Sequence, residues 1–163
     1  MKTAVVYYSL TGNAEYAAGI AAKELDADLI KIAPKKEYPK KGLGKFFHGG
    51  KDASFGLKPE LLPYEFNADE YDTVVLATPV WASNITPPMR TFIVENKEKL
   101  TGKKLGLLLC FLGGGNKKAE DKAKELLGIE GFEASLTLLD PLNKKSVEND
   151  KAIAEFCGKL KNA

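Results

Sequence analysis

Ser9, Leu10, Thr11, Gly12, Asn13 and Ala14 are the residues whose types and spacing converge most clearly on one chemistry. Side-chain donors recur at Ser9, Thr11 and Asn13 around a glycine. The apolar run Val5-Val6-Tyr7-Tyr8 precedes them, and an alanine-rich segment with Ala17, Ala18, Ile20, Ala21 and Ala22 follows at once. The first reads as a strand and the second as a helix, so the turn lies at a strand's carboxyl end and a helix's amino end. Unpaired backbone N–H groups and the positive end of the helix dipole converge at such a point, which suits an anion. The expectation is a phosphate cradle that needs no metal, because N–H groups and hydroxyls can satisfy phosphate oxygens.

Two further stretches carry candidate chemistry. Thr78-Pro79-Val80-Trp81-Ala82-Ser83-Asn84 holds the single tryptophan, whose flat surface suits a planar ring. Phe111-Leu112-Gly113-Gly114-Gly115 ends another apolar run, and glycines there let backbone approach a ligand closely. No residue stands out as catalytic. His48, the lone histidine, has no acid or thiol partner in its neighbourhood and reads as a solvated or packing residue. Cys110 falls in an apolar strand and Cys157 on an apolar helix face, so both read as core thiols rather than nucleophiles.

The elements that must position these residues alternate along the chain. Lys2 to Tyr8, Thr73 to Thr78 and Lys104 to Leu112 are continuously apolar, as in strands covered on both faces of a parallel sheet. Ala27 to Ile32 and Phe132 to Leu139 alternate, as strands nearer an edge do. Helices are expected from Asn13 to Leu25, from Pro87 (capped by Thr86) to just before Gly102, from Lys117 to Leu127, and from a Ser146 cap to about Lys161. Between Ala33 and Asp72 prolines and glycines break the pattern. A short amphipathic helix starting near Gly42 and fading by Gly50 is expected there, on the spacing of Leu43, Phe46 and Phe47. This connection is expected to fold beside the ligand site, since both its ends lie close to strands that flank it. Between Lys35 and Lys58, seven lysines face only Glu37 and Asp52, a solvated surface that could also attract an acidic partner or a 2′-phosphate.

Five strands alternating with helices imply an α/β doubly wound sandwich, a five-stranded parallel sheet with helices on both faces. Numbering those strands along the chain, the order 2-1-3-4-5 puts the three buried ones inside. Ligands of such sheets bind at the topological switch point, where the three candidate stretches would meet.

Bulk properties narrow the setting. The chain of 163 residues, 44% hydrophobic and 28% charged, reads as a single domain spanning residues 1–163. A net charge of +2 gives no argument for nucleic acid. No apolar run approaches the roughly 20 residues that cross a bilayer, so no membrane is expected. Two widely spaced cysteines and a strand that begins after one lysine suggest a cytoplasmic protein without a signal peptide. There is no G-x-x-x-x-G-K-[ST] loop, and the first turn is not G-x-G-x-x-G. Triphosphate and dinucleotide sites are therefore poorly supported.

The remaining pattern resembles the flavodoxin family. Ser9 to Ala14 is similar to that family's phosphate loop, which holds flavin mononucleotide (FMN). Thr78-Pro79-Val80-Trp81 followed by Pro87-Pro88-Met89-Arg90-Thr91-Phe92 resembles its second segment, and Gly113 to Gly115 falls where its third flavin loop lies. Gly49-Gly50-Lys51 and Lys58-Pro59-Glu60-Leu61 look like segments of flavodoxin relatives. The resemblance implies FMN as cofactor, held by Ser9 to Ala14, Thr78 to Asn84 and Phe111 to Gly115, with Trp81 stacking on or walling the ring. It departs in three places. Ala14 lacks the last loop hydroxyl, a hydrogen bond worth roughly 1–2 kcal/mol. The third loop offers only Phe111 as an aromatic, where well-known flavodoxins often place a tyrosine. The sequence pI is near 8.4, whereas those carriers are acidic. The expected function is an electron-transfer carrier serving redox protein partners or a small electron acceptor, as monomer or homodimer. The alternatives are an NAD(P)H-dependent FMN oxidoreductase acting on a quinone or other small acceptor, and a flavin-free interaction module.

Overall fold

The unbroken apolar runs become the middle of a parallel sheet. The computed structural model describes residues 2–39, 44–113 and 116–162, with backbone alone at 44–48 and 116. Gly114, Gly115 and the expected helix start at Gly42 lie outside the described residues, as do the side chains of Leu43, Phe46, Phe47 and His48. In chain order the elements are β1 (Thr3–Tyr7), α1 (Asn13–Leu25), β2 (Asp28–Lys31) and α2 (Gly44–Ser54). There follow β3 (Thr73–Trp81), β4 (Asn84–Ile85), α3 (Pro87–Leu100), β5 (Lys104–Phe111), α4 (Asn116–Leu127), β6 (Ala134–Leu139) and α5 (Val147–Asn162).

The five parallel strands run β2-β1-β3-β5-β6, which is the order expected, with β4 as a short antiparallel addition to β3. β1, β3 as far as Thr78, and β5 between its end residues are buried because both sheet faces are covered. Alternation along β1 divides the core. Ala4 and Val6 point to the layer holding Met89, Phe92 and Ile93 of α3 and Ala119 and Ala123 of α4. Val5 and Tyr7 point to the layer holding Ala17, Ala18 and Ala21 of α1 and Ile153, Phe156 and Leu160 of α5. Each large side chain fully buried this way contributes about 1.5–3 kcal/mol relative to exposure. Cys157 lies in the second layer, and burial raises its thiol to about 11. The Ser146 hydroxyl accepts from the Asn149 N–H at 3.1 Å, capping α5 as its sequence predicts.

Two segments differ from the sequence expectation. The strand expected to stop at Thr78 continues as β3 to Trp81 and folds back as β4, so 79–85 is a hairpin rather than a loop. Pairing of β1 with β3 ends at Tyr7 and Ala77, while pairing with β5 continues to Pro79 opposite Cys110. Proline is tolerated there because the ladder on one side of the strand has already ended. The helix of the 33–72 connection runs to Ser54 rather than fading by Gly50. The connection is clasped at its base by a bridge between Pro34 and Leu61, by Lys35 pairing with Glu60, and by the Thr91 hydroxyl donating to the Pro59 carbonyl at 2.8 Å.

At the hairpin tip Ala82 and Ser83 both have left-handed backbones, φ 49° and 58°. Two consecutive positive φ values match the twist of a two-residue hairpin, yet glycine, asparagine or aspartate normally supply them. An L-residue with a Cβ in this region costs roughly 1–2 kcal/mol. Replacing Ser83 with glycine should therefore stabilise the fold by about 0.5–1 kcal/mol, read from urea unfolding midpoints at constant slope. An unchanged or lower midpoint would mean that the turn is not strained.

Candidate functional site

The carboxyl ends of β1, β3 and β5 enclose a cleft of about 210 Å³ at the switch point. Leu10, Thr11 and Asn13 line it from the first turn, Pro79, Val80, Trp81 and Ala82 from β3, and Phe111, Leu112 and Gly113 from the end of β5. The three sequence-predicted stretches are thus brought together. Two lining residues were not among those expected, Gly50 of α2 and Cys110 of β5. The signal for Gly50 lay in its glycine pair. That for Cys110 lay in its place one residue before Phe111.

The first turn is built by its own short-range chemistry. Gly12 is left-handed at φ 96°, and a Cβ there would meet Leu142 Cδ2 at 2.9 Å, so both conformation and space call for glycine. Its N–H donates to the Ser9 hydroxyl oxygen at 3.1 Å, which leaves the Ser9 O–H free to donate elsewhere. The first helical bond of α1 joins the Tyr16 N–H to the Gly12 carbonyl at 2.9 Å. The N–H groups of Asn13, Ala14 and Glu15 precede it and have no acceptor within the helix. They form the donor set of the cradle, at the positive end of α1.

Side chains in this turn divide between cradle and scaffold. Asn13 is buried, and its carboxamide is tied at both ends to the protein itself. Nδ2 donates to Asp140 at 3.0 Å and Oδ1 accepts from the Leu142 N–H at 2.9 Å. Long-range partners invisible in the local sequence thus engage both ends of the carboxamide, leaving one Nδ2 hydrogen and the backbone N–H for the cradle. The Ala14 methyl is fully buried in the layer between α1 and the sheet, so this residue offers the cradle its N–H alone.

The second stretch is likewise divided. Trp81 is half-buried and lies edge-on to Tyr8 at 5.8 Å and to Tyr38 at 5.1 Å between ring centroids. Gly49 of α2 packs so closely that a Cβ there would stand 2.9 Å from the indole. The connection therefore folds onto the site, as expected, and fixes the ring that walls the cleft. Thr78 lies below the cleft, its hydroxyl 2.8 Å from that of Thr86, a buried lock across the hairpin neck. Because that hydroxyl is engaged there, Thr86 caps α3 by position without a side-chain cap bond. Ser83 sits at the hairpin tip, while the Asn84 side chain donates to the Ala53 carbonyl at 3.0 Å, outside the cleft lining.

No charged side chain is among the described residues that line the cleft. Its one titratable group is Cys110, whose thiol burial pushes up to about 12. A side chain at Gly113 would meet nothing within 4 Å, so space remains over the apolar walls. Neutral N–H and O–H donors at one end, with tryptophan and phenylalanine walls at the other, fit a flat aromatic ring joined to a phosphate. Among the described residues no cluster of His, Cys, Asp or Glu is placed to hold a metal ion. No helix among them is long and apolar enough to cross a membrane.

The sequence pattern of the flavodoxin domain matches residues 58–162. The chain belongs to the flavodoxin domain family. No curated protein matches the sequence. Solved structures share the flavodoxin fold over most of its length. A candidate flavoprotein from Bacteroides eggerthii DSM 20697 is 21% identical over 98% of both chains, with a TM-score of 0.76. A flavoprotein from Lactobacillus acidophilus NCFM, solved in complex with FMN, is 19% identical over 88% of this chain and 97% of its own, with a TM-score of 0.69. The two-electron reduced flavodoxin of Megasphaera elsdenii is 16% identical over 96% and 99%, with a TM-score of 0.60. These likenesses concern the α/β fold with its helices on both faces of a five-stranded parallel sheet.

The Asn13 amide is what ties the flavodoxin-type first turn to the segment between β6 and α5. Asn13→Ala should cost about 1–3 kcal/mol in urea unfolding, since it strands the Leu142 N–H. A loss below about 0.5 kcal/mol would mean that water replaces the amide and the tie is not structural.

Proposed function

We propose that the protein binds FMN in the switch-point cleft and acts as an electron-transfer carrier between redox proteins. The observation that carries this reading is the combination at one site of unpaired N–H groups, an uncharged lining and aromatic walls. The Asn13, Ala14 and Glu15 N–H groups with the Ser9 and Thr11 hydroxyls hold the phosphate. The ring lies among Leu10, Val80, Trp81, Phe111 and Leu112. Backbone around Val80 to Ser83 and at Gly113 borders the ring's edge. When bound, the flavin supplies the redox chemistry, and the chain supplies orientation, exclusion of water and electrostatic tuning.

A carrier is supported over a dedicated oxidoreductase by what the cleft lacks among its described residues. No carboxylate, imidazole or amine lines it, and Cys110 keeps its proton at neutral pH, so no side chain there is suited to exchange protons with a substrate. The exposed Leu112 at the rim gives a partner an apolar contact. Lys51 follows the lining residue Gly50, and exposed Lys117 and Lys118 open the helix after the third loop. This basic rim suits an acidic protein partner, with attraction that weakens as salt rises.

Titration with FMN should quench flavin fluorescence and give a yellow complex, whereas riboflavin, which lacks the phosphate, should bind at least tenfold more weakly. Equal affinity for the two would remove the phosphate cradle from the account, and no complex would remove the flavin. In the loaded protein without air, NADPH should leave the flavin absorbance unchanged for many minutes while dithionite bleaches it. Rapid bleaching by NADPH would favour the oxidoreductase.

A further inference from the structure

Two tyrosines flank the tryptophan of the cleft, and they differ in where their hydroxyl protons can go. Trp81 is half-buried in the cleft lining, so a small molecule entering the cleft meets its indole. Tyr38 lies edge-on to it at 5.1 Å and Tyr8 at 5.8 Å between ring centroids, direct ring contact for both. Both tyrosines are buried behind the indole, outside the cleft lining. The Tyr38 hydroxyl donates to the Asp52 carboxylate at 3.2 Å, within the reach over which a positioned base takes a proton. The Tyr8 hydroxyl is buried with no hydrogen-bond partner among the described residues. Burial and then the Asp52 carboxylate raise the Tyr38 pKa, while burial and then the Glu37 carboxylate raise that of Tyr8. Both phenols therefore keep their protons at neutral pH. A phenol that loses an electron becomes a strong acid, so its oxidation is easy only where a base receives the proton. Tyr38 has that base and Tyr8 does not.

We propose that Trp81, Tyr38 and Asp52 form a radical relay that carries oxidising equivalents out of the cleft, with Tyr8 taking no part. The oxidant is a diffusible one-electron inorganic radical, of the class of the azide and nitrogen dioxide radicals, that meets the indole from the cleft. It takes one electron from Trp81 and leaves as its anion. One electron then passes from Tyr38 to the indole radical while the phenolic proton moves to the Asp52 carboxylate. Any proton that the indole nitrogen has lost to water returns from water. In balance, one radical becomes its anion, the Tyr38 hydroxyl becomes a phenoxyl radical, Asp52 gains a proton and Trp81 is restored. The ring that walls the cleft is thus spared. Tyr38 and Asp52 both belong to the 33–72 connection, so that segment braces the indole and also receives its oxidising equivalent. The relay rests on contacts within the chain and requires no flavin.

Pulse radiolysis of the full chain without flavin tests the relay, with azide radical as the oxidant. Azide radical oxidises indole in preference to neutral phenol, and a single tryptophan makes the starting radical unambiguous. The indolyl absorbance should decay at a rate independent of protein concentration, with the phenoxyl band growing at the same rate. Tyr38→Phe keeps a ring against Trp81 and should slow that decay about tenfold or more. Asp52→Asn keeps a hydrogen-bond acceptor but no base, and should also slow it about tenfold, which keeps the test valid should Tyr38→Phe fold poorly. Tyr8→Phe should leave the rate unchanged. Because Tyr8 and Tyr38 both pack on the indole, a purely structural effect would appear in both variants. Absence of an indolyl radical, or its decay only by encounter between molecules, would overturn the proposal. So would Tyr38→Phe or Asp52→Asn decaying at the parent's rate, or Tyr8→Phe slowing as much as Tyr38→Phe. With no flavin present, a failure of FMN binding leaves the result readable.

Discussion

The geometry of the cleft depends on where the amino end of α1 points, and one buried carboxamide holds that direction. Asn13 reaches Asp140 and Leu142, 127 and 129 positions along the chain, and joins the turn after β1 to the segment after β6. Gly12 makes the sharp entry possible, and Leu142 fills the space that a Cβ there would need. Helix dipole and free N–H groups are generic to any helix start. Their alignment with the switch point comes from this tie, because an amino end tilted away would present the same donors to solvent.

A second constraint sets the opposite wall. Trp81 stands just before the strained hairpin tip and is held by Tyr8, Tyr38 and the close backbone of Gly49. The connection that looks irregular in sequence is therefore part of the site, bracing the indole while Gly50 completes the lining. Strain at Ala82 and Ser83 falls where the backbone borders the cleft, a common location for stored strain. Together the two constraints shape a cleft whose described lining is neutral, with basic residues kept to its rim.

Much of this was legible in the sequence, for identifiable reasons. Continuous apolar runs and an alanine-rich helix are local patterns, so β1, α1, β5 and the strand order could be read directly. The meeting of three loops followed from topology. Pro79 concealed the hairpin because proline reads as a terminator unless one knows that the neighbouring strand has already ended. Gly49 and Gly50 concealed the length of α2, since glycine breaks helices by propensity and here packing of backbone against Trp81 outweighs it. The roles of Asn13 and Asn84 depend on partners far along the chain, which no local pattern carries. Ala14 reads in the sequence as a missing loop hydroxyl, and the structure adds that its methyl packs in the core.

The central claim is that a phosphate sits on the amino end of α1 with no charged side chain holding it. A crystal structure of the protein grown with FMN tests this most directly. The account predicts the phosphate within hydrogen-bond distance of the Asn13, Ala14 and Glu15 N–H groups, with the flavin ring against Trp81. A phosphate held by lysine or arginine side chains elsewhere, with the α1 terminus facing only water, would contradict it.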